Sequence, residues 1–340
     1  MGRCYLHIGP HKAASSYLQA SILRNRDLLE SQDISVPRLG GNGVARQHHN
    51  LAHELTGHWK FRKEAGTFED LKRYLVSDRP RNILITSEVF EGLSRNKENF
   101  ELLKEFFASL AYEVRVLMVV RPQTGLINSA YTEQIKRFRH RKTFAEFVDW
   151  ALESPRAKFD MNESFKFWMQ YFDCDFIPLN DEVVKMGLDR VFFQRLGVAE
   201  NRLGQLQGVA AANTSPGPKT IEAARIIRGI LEGLLGNRLH KKKLPGGVDL
   251  RKVLIKKTKK IGWNKTKFYG YDDRLFEVVR DHYGEANDRF SRNVFGRPWA
   301  EVFRDRREPT NVYALDAAPR HEKAEMANLV QDVLYAMRQD

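Results

Sequence analysis

The sequence predicts an α/β fold, in which helices flank a central, mainly parallel sheet and the C-terminal half is mostly helical. Short apolar runs alternate with amphipathic helical segments in the N-terminal half. Polar or charged residues follow three of these runs directly. Strands separated by helices of about ten residues or more form βαβ units, and this connection makes the strands parallel.

Length and composition predict the individual elements. The predicted strands are residues 4–8, 34–36, 83–86, 114–120 and 175–179. Helical spacing of apolar residues predicts helices that contain Leu18, Ile22 and Leu29, then Phe100, Leu103, Phe107 and Leu110, and then Phe165, Trp168, Met169 and Phe172. Thr143 and Glu146 form a predicted capping box. Further helices are predicted at about 219–235, 272–292 and 321–337.

The junction between the first strand and the first helix has the composition of an anion site. Gly9 and Pro10 break the strand, and the residues that follow are His11, Lys12, Ala13, Ala14, Ser15 and Ser16. A helix N-terminus offers unpaired N–H groups and partial positive charge, to which a lysine and two hydroxyl groups add. The G-x-x-x-x-G-K-[ST] spacing of the common nucleotide loop is not present. An ordinary strand-to-helix turn remains the alternative.

Two other strand ends carry charged residues. Glu88 follows the strand at 83–86, and Arg121 follows the strand at 114–120, with Ser129 in the next helix. In an open parallel sheet the carboxyl ends of the strands share one edge. We therefore expect Lys12, Glu88 and Arg121 to converge there.

A histidine-rich segment at residues 46–53 is a further candidate. His49 and His53 are four residues apart, but no glutamate lies between them as in the H-E-x-x-H zinc motif. We therefore do not expect a metal here. The alternative interpretation is that His48, His49 and His53 form the solvated start of a helix.

The charge is unevenly distributed. Of the formal net charge of +13, residues 237–267 carry +11 and the rest of the chain about +2. This segment could bind an acidic substrate, an anionic membrane surface or nucleic acid. A solvated Lys-rich loop is the alternative. The predicted organisation is a core at 1–236, a mobile basic insertion at 237–270 and C-terminal helices at 271–340.

The chain has two cysteines, Cys4 and Cys174, and no run of 18 apolar residues. It also lacks the apolar segment of a signal peptide. These features predict a cytoplasmic protein, with a peripheral position at the inner membrane face as an option.

The motifs together resemble those of sulfotransferases that use 3′-phosphoadenosine-5′-phosphosulfate (PAPS), in particular the bacterial carbohydrate-type members. Residues 7–19 resemble the 5′-phosphosulfate loop of that family, and residues 116–131 its 3′-phosphate motif. Residues 85–88 resemble the strand end that carries the catalytic base in many members. The resemblance covers roughly residues 3–135.

The resemblance implies a three-layer P-loop-like fold and transfer of a sulfuryl group to an acceptor hydroxyl, without a metal. Lys12 would neutralise the leaving oxygen, Glu88 would be the base, and His49 is the second choice for that role. The residues implied to bind PAPS are His11, Lys12, Ala13, Ala14, Ser15, Ser16, Arg121 and Ser129. Ala13 and Ala14 stand where Thr and Gly are common in the family, and Ala14 is unfavourable if the loop requires a positive φ.

The implied acceptor is a glycan or glycolipid. An anionic membrane surface is a further candidate partner through residues 238–267, and nucleic acid is disfavoured. Two other functions stay open. One is a P-loop kinase-like phosphotransferase, although the Walker spacing is missing. The other is a non-enzymatic protein that binds polyanions or nucleic acid through the basic segment.

Overall fold

The computed structural model describes residues 2–9, 12–40, 47–153, 159–209, 215–236, 248–304 and 307–338. Its sheet has five strands in the order β2-β3-β1-β4-β5, and every neighbouring pair is parallel. The strands are β1 (Gly2–Ile8), β2 (Ile34–Ser35), β3 (Asn82–Thr86), β4 (Tyr112–Val120) and β5 (Asp173–Pro178). All five predicted strands are present, with ends shifted by a few residues, so the predicted mainly parallel sheet is confirmed.

The helices cover most of the remaining described chain. They are α1 (Ser15–Arg24), α2 (Arg26–Glu30), α3 (His49–Leu55), α4 (Phe68–Asp78), α5 (Lys97–Ser109), α6 (Gln123–Lys136), α7 (Phe144–Glu153), α8 (Met161–Tyr171), α9 (Asp181–Met186), α10 (Leu188–Arg195), α11 (Glu200–Leu203), α12 (Pro218–Leu235), α13 (Leu250–Lys260), α14 (Asp273–Phe295), α15 (Trp299–Val302) and α16 (Arg320–Tyr335). Short 3-10 helices lie at Lys63–Ala65, Glu88–Arg95 and Ala336–Arg338.

One predicted helix is divided in the structure. The apolar pattern from Leu18 to Leu29 suggests a single helix, but α1 ends at Arg24 and α2 begins at Arg26. The side chain of Asn25 donates to the carbonyl of Ser21 (2.9 Å) and to that of Gln207 (3.1 Å). Asparagine competes in this way with helical hydrogen bonds, and this ends α1.

The described chain divides into two compact units. The first contains residues 1–122, 156–212 and 283–305, and the second contains residues 123–155, 213–282 and 306–340. The whole sheet belongs to the first unit. The ranges predicted from the sequence, 1–236, 237–270 and 271–340, run across this division and stay a prediction.

The first unit has a core on each face of its sheet. On one face, Tyr5, Leu84, Leu117, Val119 and Ile177 pack against apolar residues of α1, α2, α9, α10 and α11. On the other face, the ring of Phe176 lies 5.6 Å from Phe165 of α8 and 5.3 Å from Phe290 of α14. Burial on both faces explains why the strands are apolar runs rather than alternating patterns.

The second unit is helical and has an aromatic core. The ring of Phe144 lies 5.2 Å from Tyr131 and 4.7 Å from Tyr271, and the rings of Tyr131 and Phe268 are 5.3 Å apart. The capping box predicted before α7 is present, since Thr143 Oγ1 and Glu146 exchange hydrogen bonds.

The described part of the basic segment is folded. Residues 237–247 lie outside the described residues, but residues 250–260 form α13 rather than a loop. Leu250, Leu254 and Thr258 recur every four residues and are buried, while Lys252, Lys256 and Lys259 are exposed. Asp249 is the N-cap of this helix, and its carboxylate accepts a hydrogen bond from the Lys252 N–H. The apolar spacing among the lysines is the signal for this helix.

Candidate active site

The strand order brings three polar strand ends to one edge of the first unit. β1 lies between β3 and β4, so the loop after β1 has Ser87 and Glu88 on one side and Arg121 on the other. The chain continues from β1 to β2 on one side of the sheet and from β4 to β5 on the other. The crevice at such a reversal is where open α/β sheets bind ligands. The expected convergence of Lys12, Glu88 and Arg121 at this edge is therefore present in the strand arrangement.

The loop before α1 has an unusual backbone. Lys12 has a φ of 80° and Ala14 a φ of 62°, both in the region that favours glycine. A left-handed conformation costs an L-residue about 1–2 kcal/mol, and strain of this kind is found where a loop has a functional shape. Ala14 is the N-cap of α1 and has no side chain that could cap the helix. The first turn of α1 also contains no acidic residue, so its positive end is not neutralised from within the helix.

Ser15 supplies a buried hydroxyl at this helix end. Within the part of the chain that the structure describes, its Oγ is buried and has no hydrogen-bond partner. A Cβ added at Gly9 would lie 3.8 Å from this oxygen. Ser16, by contrast, is exposed. An unsatisfied buried hydroxyl costs about 1–3 kcal/mol, which a ligand oxygen at the helix N-terminus would recover.

Arg121 ties the end of β4 to this loop. Its Nη1 donates to the carbonyl of Lys12 at 3.1 Å, so two cationic side chains are held at adjacent strand ends. Ser129 lies on α6, in the second unit. Its predicted role beside Arg121 therefore stays a prediction. His11 lies outside the described residues.

On the other side of β1, His49 and Glu88 approach each other. His49 Nε2 lies 3.7 Å from Glu88 Oε1, and their side chains are 27% and 17% exposed. His49 Nδ1 is 2.6 Å from the Oγ of Ser87, which also accepts the Val89 N–H. Burial is the main cause that lowers the pKa of His49 from its ordinary value of 6.5, against the opposing effect of Glu88. His49 is therefore mostly neutral at pH 7.

Two glutamines complete this cluster. Gln19 Nε2 donates to Glu88 Oε2 at 2.7 Å, and Gln47 Nε2 donates to Gln19 Oε1 at 2.7 Å. The bond from Gln47 fixes which way the Gln19 amide points, and Gln19 holds one carboxylate oxygen of Glu88. Gln19 lies on α1, so the helix that begins at the candidate anion loop also positions the candidate base. The sequence interpretation did not include either glutamine; the position of Gln19 at the end of the loop motif was the available signal.

His48 has a structural role instead of the solvated position considered from the sequence. It is 2% exposed. Its Nδ1 accepts the N–H of Thr86 at 3.0 Å, and its Nε2 lies 3.0 Å from the carbonyl of Pro37. Since Nδ1 accepts, Nε2 carries the proton and donates to Pro37. Burial lowers the pKa of His48 to about 4, so the imidazole stays in this neutral form at pH 7.

Among the described residues, no group of three or more His, Cys, Asp or Glu side chains is arranged to hold a metal ion. The rings of His49 and His53 are 6.5 Å apart. No helix in the described ranges is both long and apolar enough to cross a membrane.

Comparison with known proteins adds no constraint on the function. The chain matches no family model, and it matches no curated protein.

Proposed function

We propose that this protein is a PAPS-dependent sulfotransferase that acts on a hydroxyl of a carbohydrate or glycolipid. The observation that carries the proposal is the arrangement at the carboxyl edge of the sheet. A strained cationic loop follows β1, Glu88 follows β3 and pairs with His49 of α3, and Arg121 follows β4. The motifs that resemble the sulfotransferase family are thus brought together by strand order.

The residues at the β1 loop suit an anionic donor. Lys12, the buried hydroxyl of Ser15 and the uncapped start of α1 would bind the 5′-phosphosulfate, with Ser16 and His11 beside them. The planar guanidinium of Arg121 suits the 3′-phosphate. The orphaned Oγ of Ser15 is the structural feature that such a ligand would satisfy.

The fold assignment follows the same reasoning. Helices on both faces of a five-stranded parallel sheet, with a cationic loop between β1 and α1, support a three-layer P-loop-like fold. Ala14 adopts the positive φ that glycine would favour at this position, so the loop shape is retained although the glycine is not.

PAPS supplies the sulfuryl group in this reaction. The bond between sulfur and the phosphate oxygen breaks, and a bond between sulfur and the acceptor oxygen forms. Lys12 would balance the charge that develops on the phosphate oxygen. The carboxylate of Glu88 would take the acceptor proton, since Gln19 holds its Oε2 and leaves Oε1 on the side of His49. Neutral His49 would position that carboxylate.

The test is a calorimetric titration with 3′-phosphoadenosine-5′-phosphate, with ATP and Mg²⁺ in parallel. We expect binding without metal that depends on the 3′-phosphate and weakens about tenfold or more in Lys12→Ala and in Arg121→Ala. Lys104→Ala, a change of an exposed lysine on α5, is the matched control and should leave the affinity unchanged. Absence of binding, or a preference for ATP with Mg²⁺, would contradict the proposal and favour the kinase-like or the non-enzymatic function.

A further inference from the structure

A row of aromatic rings leads from His49 to the surface of the first unit. The ring centroids of His49 and His53 are 6.5 Å apart. His53 and His58 stack at 4.6 Å with an interplanar angle of 20°, and His58 lies 5.6 Å from Trp59. The His49–Glu88 pair therefore continues into an aromatic surface.

The outer end of this row is open to solvent. Trp59 is 58% exposed, although tryptophan is usually the most buried part of a local cluster. At the inner end, the Nδ1 of His53 is buried and has no hydrogen-bond partner among the described residues. The row therefore combines a flat exposed ring with an unsatisfied polar atom on His53, whose ring lies next to that of His49.

A positive charge lies over the exposed ring. Lys60 Nζ lies 5.5 Å from the centre of the Trp59 ring. Residues 59–63 read Trp-Lys-Phe-Arg-Lys. Arg62 is held by its Nη1, which donates to the carbonyl of Phe61 at 3.1 Å. A ligand that covers Trp59 would thus meet the ammonium group of Lys60, which lies over the indole ring.

This combination matches an anionic sugar chain. One face of a pyranose ring presents C–H groups, which favour contact with the electron-rich face of an indole. Hydroxyl groups at the ring edge can bind imidazole nitrogens, and a carboxylate can pair with lysine. A ligand that lies along the whole row from His49 to Trp59 passes three successive ring contacts, so it is longer than one sugar.

We propose that Trp59, His58 and Lys60 form the acceptor subsite of this protein and that the acceptor is an oligosaccharide containing hexuronate units. This inference rests on the proposed sulfotransferase function, because the role of the subsite is to deliver an acceptor hydroxyl group to Glu88. In this arrangement Trp59 stacks on a sugar ring, Lys60 pairs with its carboxylate, and the next units lie over His58 and His53.

The probe is an unsulfated tetrasaccharide of alternating glucuronate and N-acetylglucosamine, and a neutral N-acetylglucosamine tetrasaccharide is its uncharged counterpart. Calorimetry with the full chain should show that the charged probe binds more tightly. We expect Trp59→Ala to weaken its binding at least tenfold and Lys60→Gln to weaken it several-fold without affecting the neutral probe.

The matched control for the ring is Trp150→Ala, since Trp150 is another partly exposed tryptophan (39%) but lies on α7 of the second unit. It should bind the charged probe as the wild type does. Equal affinity in Trp59→Ala and wild type, or no binding by the wild type, overturns the inference. Trp59-dependent binding of a single-stranded oligonucleotide in place of the sugar also overturns the inference, because it would show that this surface binds nucleic acid.

Titration of the same preparations with 3′-phosphoadenosine-5′-phosphate separates the two proposals. Nucleotide binding without binding of the sugar rejects the acceptor subsite and retains the sulfotransferase. Trp59-dependent sugar binding without nucleotide binding retains the subsite as a glycan site and rejects the sulfotransferase.

Discussion

His48 and His49 are neighbours in the chain but have opposite environments. His48 is fixed between the N–H of Thr86 and the carbonyl of Pro37, so both of its nitrogens are used by the backbone. His49 faces the carboxylate of Glu88 and remains partly exposed. Burial lowers the pKa of both, yet only His49 can meet a substrate. Only His49 is therefore available for chemistry.

The role of Glu88 is tested by paired substitutions. We expect Glu88→Gln to lower turnover about 100-fold or more and to leave nucleotide affinity nearly unchanged, since a general base contributes about 10²–10⁴ to the rate. His49→Gln should lower turnover less, because His49 positions the base. Release of 3′-phosphoadenosine-5′-phosphate from PAPS in the presence of the hexuronate acceptor measures both.

The control for this pair is Glu91→Gln, in the same 3-10 segment as Glu88. It should retain wild-type turnover. If His49→Gln loses more activity than Glu88→Gln, the histidine is the base and Glu88 supports it.

Among the elements, α1 connects the two halves of the candidate site. Its first residue follows the strained loop, and Gln19, one turn later, holds the candidate base. A change in the loop backbone would therefore reach Glu88 through this helix. The shape of the loop depends on two consecutive alanines, Ala13 and Ala14, with different conformations. Substitution of each alanine can therefore test whether the loop is strained.

Replacement of each alanine by glycine should have opposite effects on stability. Ala14 has a φ of 62°, so Ala14→Gly removes about 1–2 kcal/mol of strain, less the added entropy of the unfolded chain. We expect a net gain of about 0.5 kcal/mol in the free energy of unfolding. Ala13 is 1% exposed and belongs to the core, so Ala13→Gly should cost about 1–2 kcal/mol. Urea unfolding of both variants gives the comparison, and equal changes in the two would show that the loop is not strained.

The strands and most of the long helices could be predicted from the sequence, because each strand is an apolar run and these helices have a repeating apolar face. Helices α4 and α13 were not predicted. The convergence of Lys12, Glu88 and Arg121 also followed, since parallel strands share their exit edge. The contacts within the site did not follow. Gln19 and Glu88 are 69 residues apart and His49 and Ser87 are 38 apart, and such pairs depend on strand order and side-chain packing.

Helix α13 shows how the structure changes the interpretation of a charge run. Its buried Leu250 and Leu254 anchor the helix, while exposed lysines occupy the opposite positions. A deletion through this segment would therefore expose part of the core of the second unit. Charge reversal of the exposed lysines is the better way to examine its contribution to anion binding.

At the scale of the whole molecule, the first unit contains the sheet, and its folding holds two buried histidines, His7 and His48, in the neutral form. His7 and His48 are 1% and 2% exposed. His7 Nδ1 lies 2.8 Å from Thr86 Oγ1, so both rings pack around the end of β3. These neutral imidazoles link the stability of the first unit to pH.

We expect stability to fall as the pH decreases from about 6.5 to 4. Burial lowers the pKa of His7 and of His48 to about 4, whereas in the unfolded chain each has its ordinary value of 6.5. Between these values the unfolded state binds more protons, so acid favours unfolding, and above about 6.5 the stabilisation is complete. At pH 4, the lowered pKa of each histidine can reduce the free energy of unfolding by about 3 kcal/mol, which is a large part of a typical folding free energy.

The measurement is the urea midpoint between pH 7.5 and 4.5 for the wild type and for His48→Asn. The variant loses two hydrogen bonds of the ring, from the Thr86 N–H to Nδ1 and from Nε2 to the Pro37 carbonyl, so it should be less stable at pH 7.5. Its stability should nevertheless depend less on pH, because one buried imidazole with a lowered pKa is gone. His321→Asn, an exposed histidine at the start of α16, should keep the wild-type profile. A pH dependence in His48→Asn as steep as that of the wild type would mean that other groups, and not the buried imidazole at residue 48, control the acid sensitivity.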